Sequence, residues 1–210
     1  MNVKPDMRTL VIECATEACS VALLNGVEVV AATHRVLGRG HAEQLVPMIS
    51  DLPGRGCADR ILVSLGPGSF TGVRIGIATA KALGFAWQAP VLGYPTLDLV
   101  AAIAMSEEGW PAVTVCMAGG HGEWFVQDFR HPALALGSWR SLTPDEAAAR
   151  DPGFPLAGTQ AAGLSALLAG RPVAAASLPD AAQIGLLPPA VFTTNVAPIY
   201  GRGPDARLPG

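Results

Sequence analysis

The sequence predicts an α/β fold: a mixed sheet with flanking helices, arranged in two lobes. Three observations predict it. A run of three β-rich segments opens the chain, strand and helix patterns then alternate, and half of the 210 residues are apolar while only 15% are charged. A chain of this length buries a sizeable core. Its mean hydropathy of +0.37 asks for a well-covered sheet or an apolar surface that meets another protein.

Residues 9–14 and 20–24 are β-rich, and residues 27–34 form the returning strand. Asn25-Gly26 between them is the strongest short hairpin signal, because both central residues of a type I′ turn take positive φ. A polar stretch, Leu37-Gly38-Arg39-Gly40, leads to a helix predicted over 41–52, where Leu45, Met48, Ile49 and Leu52 recur at helical spacing. Pro53-Gly54 ends it. Residues 61–65 suit a buried strand. The loop Gly66-Pro67-Gly68-Ser69-Phe70-Thr71-Gly72 then opens a second helix over 73–87, followed by a strand at 91–93 and a third helix over 96–108. The order β-β-β-α-β-α-β-α is that of ribonuclease H-like and actin-like (ASKHA) domains.

The second half changes character. Of the 18 prolines, 14 lie from Pro90 onward, and no lysine follows Lys81. The expected division is a first lobe over 1–109 and a smaller Gly/Pro-rich second lobe over 110–210. Residues 112–117 and 124–129 read as strands. Thr143-Pro144-Asp145-Glu146 is a capping box that opens a short helix through Arg150. Residues 152–170 and 178–189 carry no usable pattern, and the last stretch is expected to fray.

Several function classes are disfavoured. The longest apolar run, 99–105, is far short of the ~20 residues of a spanning helix. Glu13 interrupts Leu10-Val11-Ile12 and no cleavage-like site follows, so no signal peptide is indicated and a cytoplasmic protein is expected. Cys14, Cys19, Cys57 and Cys116 lack CxxC spacing and read as reduced thiols that fill the core. The histidines at 34, 41, 121 and 131 form no HxxxH or HExxH pair, and His41 and Glu43, two apart, point away from each other on a helix. No metal site and no catalytic residue is expected. The net charge is −3 with two lysines, so the clustered cations that bind phosphate backbones are lacking.

Gly66, Gly68, Ser69 and Thr71 are the candidates for a phosphate cradle, since a strand, a glycine turn and a helix start leave N–H groups pointing outward. A structural tight turn explains the same residues. The run is not a Walker A loop, and Ser69 has no G-x-S-x-G frame.

The run from Gly66 to Gly76, continued by Ala78-Thr79-Ala80-Lys81, resembles the G-P-G-S-F-T-G-x-R-I-G-x-A-x-A-K signature of the TsaB (YeaZ) family. Ile12-Glu13-Cys14-Ala15-Thr16-Glu17-Ala18-Cys19-Ser20-Val21-Ala22-Leu23 is similar to the family's opening I-D-T-A-T-E-A-C-S-V-A-L. His41-Ala42-Glu43-Gln44-Leu45 with Pro47 resembles its H-x-E-x-L-x-P, and Pro198-Ile199-Tyr200-Gly201-Arg202 its P-x-Y-x-R tail. The good coverage is residues 9–100.

The resemblance implies a non-catalytic scaffold or dimerisation subunit that binds and activates the catalytic relative TsaD. TsaD transfers the threonylcarbamoyl group to adenosine 37 of tRNA. It also implies TsaE as a partner through the assembled complex, a homodimer as an option, tRNA contact only via the complex, and ATP or ADP only at a subunit joint.

The departures matter. Glu13 stands where the family has aspartate, the residue that holds hydrated Mg²⁺ in active actin-like ATPases. Ala118-Gly119-Gly120-His121-Gly122-Glu123-Trp124 replaces D-A-R-x-x-E-V-Y, losing the acid and the arginine. Thr96 and Val100 fall where TsaD carries two metal-binding histidines. The alternatives are a self-standing nucleotide hydrolase, a glycoprotease-like peptidase, or a nucleotide-binding module.

In the second helix, Gly76, Ala80 and Gly84 recur every four residues as one smooth stripe. Small residues at this spacing either pack a helix on its own sheet or let a partner helix approach closely. The family pairs through its first two helices, so the resemblance places the partner seam at Leu45, Met48, Ile49, Gly76, Ile77, Ala80, Lys81 and Gly84.

Overall fold

The computed structural model describes residues 7–200. Its first sheet has the strand order β3-β2-β1-β4-β5, built from β1 (Arg8–Glu13), β2 (Ala18–Asn25), β3 (Glu28–Val36), β4 (Arg60–Ser64) and β5 (Val91–Tyr94). The pairs β1–β2 and β2–β3 are antiparallel, while β1–β4 and β4–β5 are parallel. Between them run α1 (His41–Ser50), α2 (Phe70–Trp87) and α3 (Thr96–Glu108). The expected element order stands through α3, and the fold is of the mixed α/β class.

Period-two alternation along the central strands separates two cores. Leu10, Ile12, Val21, Leu23, Ile61 and Val63 face α1 and α2. Val11, Ala22, Leu24, Leu62 and Leu92 face the other way, onto α3 and the second sheet. Residues 96–105 of α3 are all buried, as a helix covered on every side requires.

The second sheet has the order β10-β6-β7-β8 from β6 (Ala112–Gly120), β7 (Glu123–Arg130), β8 (Leu134–Ala135) and β10 (Leu156–Ala157). The strand β9 (Arg140–Leu142) also pairs with β7. Cys116, Val126 and Leu156 meet α4 (Pro144–Ala149) and α5 (Ala161–Leu167) through Ala147, Ala161 and Leu164. The capping box forms as expected, with the Thr143 side chain accepting from the Glu146 N–H and the Glu146 carboxylate from the Thr143 N–H.

Three expectations need correction. The β2–β3 turn is not type I′: Asn25 pairs with Glu28, so Gly26 and Val27 are its central residues, and only Gly26 has positive φ, 60°. Glycine at the first central position is the type II′ pattern. The I′ pattern occurs instead between β6 and β7, where His121 and Gly122 both have positive φ, 51° and 79°. Helix α2 begins at Phe70 rather than Val73, because Ser69 caps it by accepting the Gly72 N–H.

Third, the expected fraying does not occur over the described part of the tail. Residues 180–199, grouped by composition with the second lobe, return to the first sheet. Asp180 accepts from Ser20 at 3.0 Å, Thr193 and Gly93 exchange backbone hydrogen bonds, and the Ile199 N–H donates to the Leu65 carbonyl at 2.7 Å. Gly201 and Arg202 of the tail motif lie outside the described residues. No described helix is long and apolar enough to cross a membrane.

Candidate functional site

The family-like motifs converge on one crest, at the carboxyl ends of the parallel strands β1, β4 and β5, where open α/β sheets ordinarily hold ligands. Here the glycine loop packs down on the β1–β2 turn and on the start of α3. The Ser69 N–H donates to the Ala15 carbonyl at 2.7 Å, and the Thr96 N–H donates to the Gly66 carbonyl at 2.8 Å. A Cβ on Gly68 would stand 2.0 Å from the Ala15 oxygen, and one on Gly72 2.1 Å from the Cys14 oxygen. Of the four cradle candidates, Gly66 and Gly68 therefore serve close packing, Ser69 caps α2, and Thr71 is exposed.

Beneath the loop, Glu13 is fully buried. Its Oε1 accepts the Ala15 N–H at 2.8 Å, while Oε2 has no hydrogen-bond partner among the described residues. Burial pushes its pKa up to about 7, against the opposing pull of that backbone bond. A carboxyl so placed clamps the β1–β2 turn. Thr96 and Val100 are buried as well, and the Thr96 hydroxyl spends itself on Ser64 at 3.0 Å. The Tyr94 hydroxyl donates to the Ile12 carbonyl at 3.1 Å. No group of three or more His, Cys, Asp or Glu stands together among the described residues.

The tail joins the glycine loop on the outside. Arg74 donates through Nε and Nη2 to the Tyr200 hydroxyl at 3.1 and 2.9 Å, and its guanidinium stacks 3.6 Å from the Phe70 ring centroid. His41, first residue of α1, is buried with Nε2 3.2 Å from the Ala18 carbonyl oxygen. It anchors the helix to β2. The departed segment 118–124 is the β6–β7 hairpin tip, where Glu123 accepts from the Ser141 hydroxyl at 2.6 Å.

Most residues of the expected partner seam are buried within this chain. Leu45, Met48, Ile49, Ile77 and Ala80 lie in the core beneath α1 and α2. A Cβ on Gly76 would touch Cys14, Val63 and Ile12 at 3.5–3.7 Å, and one on Gly84 would meet Val91 at 2.5 Å. The small stripe packs on the chain's own sheet. Only Lys81 of the eight is exposed. The outer face that α2 does present is Ala78, Lys81, Ala82, Phe85 and Ala86, with Val46 of the neighbouring α1 also exposed. Phe85 is 82% exposed. Their 3–4 residue spacing was readable, but it competes with the buried stripe in a helix that is apolar almost all round.

The family model described as "TsaD: tRNA N6-adenosine threonylcarbamoyltransferase" matches residues 30–136. A Pseudomonas aeruginosa crystal structure, described as an uncharacterized protein with similarity to peptidase YeaZ, superposes with a TM-score of 0.78 at 30% identity, covering 93% of this chain and 100% of that one. The chain belongs to the TsaB/YeaZ family. The YeaZ structure from the same organism superposes with a TM-score of 0.79 at 29% identity, covering 92% and 99%.

Among curated relatives, the "tRNA threonylcarbamoyladenosine biosynthesis protein TsaB" of Escherichia coli is 36% identical over 129 residues, 59% of this chain and 55% of the relative. The chain spans about half the length of the curated TsaB relatives it matches.

Proposed function

We propose that this chain is a non-catalytic subunit in the making of N6-threonylcarbamoyladenosine in tRNA, acting by binding and activating the threonylcarbamoyltransferase TsaD. The observation that carries the proposal is the exposed apolar stripe Ala78, Ala82, Phe85 and Ala86 of α2, with Val46 exposed on α1. Exposed apolar helix faces of this kind favour association with another protein. The names of its TsaB relatives, and the match to the TsaD family model, supply the class of partner.

The packing of the glycine loop on the β1–β2 turn favours a supporting role over a catalytic one. Glu13 is buried beneath the glycine loop, and Thr96 is bonded to Ser64 where TsaD is expected to carry a histidine. In this reading TsaE joins through the assembled complex, and tRNA is reached only there. Nucleotide binds at most at a joint between subunits, and a homodimer would use the same stripe.

The test is gel filtration and calorimetry of the chain with TsaD from the same source. Wild type should form a stoichiometric pair. Phe85→Asp, which sets a charge at the seam, should weaken association at least tenfold, at a cost of about 1.4 kcal/mol or more. Undiminished binding by a folded Phe85→Asp variant places the seam elsewhere. ATP turnover by the chain alone would favour a self-standing hydrolase instead.

A further inference from the structure

We propose that Cys14 and Cys19 are a built dithiol site, oxidised to an intramolecular disulfide by a peroxide. Their sulfurs lie 3.5 Å apart, and both side chains are buried. The β1–β2 register ends on Glu13 and Ser20, so Cys14, one residue past β1, and Cys19 of β2 follow that last pair on the two sides of the turn. Directly opposed residues of an antiparallel pair have Cα atoms about 4.5–5.5 Å apart, inside the disulfide range of about 4.4–6.8 Å. Closing the sulfurs to about 2.0 Å then asks for side-chain rotation, with no rearrangement of the strands.

The pair is also polarised. The thiol–thiol hydrogen bond draws the Cys19 pKa down against burial and the charge of Glu13, with Arg35 helping, while the same contact and burial drive that of Cys14 up. The lowered value favours Cys19 over Cys14 as the attacking sulfur. The other two cysteines lack this arrangement. Cys116 is buried with its pKa pushed up to about 12, and Cys57 is exposed.

Burial sets the class of oxidant, because a water-sized molecule reaches such a pair through local opening where a bulky disulfide does not. The Cys19 thiolate attacks one oxygen of hydrogen peroxide, the O–O bond breaks, and hydroxide leaves to take up a proton as water. Cys19 is then a sulfenic acid. The Cys14 sulfur gives up its proton and attacks the Cys19 sulfur, the S–O bond breaks, and the hydroxyl leaves as a second water. Two thiols are oxidised by two electrons, and one peroxide is reduced to two waters. The bond forms at the turn that supports α2, since the Cys14 and Ala15 carbonyls are the atoms on which Gly72 and Gly68 rest.

The experiment treats native protein with peroxide, alkylates the remaining thiols and digests it for mass spectrometry. Trypsin leaves both cysteines on one peptide, residues 9–35, and a second cut after Glu17 separates them. The expected result is that the two halves stay joined after peroxide and part after dithiothreitol. Cys14→Ser should leave a sulfenic acid on Cys19 that a dimedone probe traps, and Cys19→Ser should trap far less at Cys14. The proposal is overturned if the halves are separate when Cys57 is already fully oxidised. It is equally overturned if they join only in protein unfolded before oxidation.

Discussion

A carboxyl group shut away from water holds its proton to higher pH than one in solution, and Glu13 and Asp98 are two such groups. Burial pushes each up to about 7, from 4.5 and 3.8 respectively. Between the unfolded and folded values the native state binds more protons, so stability is greatest at the acid end of that window and falls as pH rises through it. For Glu13 alone the loss from pH 4.5 to pH 7 is on the order of 3 kcal/mol. Urea midpoints measured across pH 5 to 7.5 should decline for wild type and decline less for Glu13→Gln. Equal slopes would refute the assignment.

At the same scale, Gly68→Ala drives a methyl group into the Ala15 carbonyl and should cost about 3 kcal/mol. Gly185→Ala meets nothing within 4 Å and should change stability by less than about 0.5 kcal/mol. Denaturation midpoints of the pair check both. The loop's glycine-rich sequence was legible. The choice between an anion cradle and a close-packed turn depended on the Ala15 and Cys14 carbonyls, about 50 residues away in the chain.

Helix α2 shows what an element can hide. Its start lies three residues before the expected one because Ser69, in a loop-like sequence, is its cap. Its inner stripe of Gly76, Ala80 and Gly84 and its outer stripe of Ala78, Ala82 and Phe85 share the same period, so periodicity alone cannot say which one faces the sheet. Two variants separate them. Ala80→Leu overpacks a fully buried site and should lower stability by about 1–3 kcal/mol, leaving partner affinity nearly unchanged once folded. Phe85→Asp should melt within about 0.5 kcal/mol of wild type and lose the partner. Thermal melts beside calorimetric titrations read both quantities, and the reverse pattern would restore the inner stripe as the seam.

The whole chain carries a net charge of −3 and two lysines, so its long-range field does not favour nucleic acid. In gel shifts at physiological salt the isolated chain should retain tRNA no better than the non-specific range of about 10⁻⁶ to 10⁻⁴ M. Nanomolar binding would contradict the charge argument.

The order of elements through α3, the hairpin opening, the α4 capping box and the family motifs were determined by sequence alone, because strand alternation, helical spacing and capping act over a few residues. The inward face of α2, the return of residues 180–199 to the first sheet, and the 3.5 Å approach of Cys14 to Cys19 were decided only in the tertiary structure. Each depends on which surfaces meet. In a chain half apolar, local pattern marks many faces as fit for burial, and only the packing of one element on another selects among them.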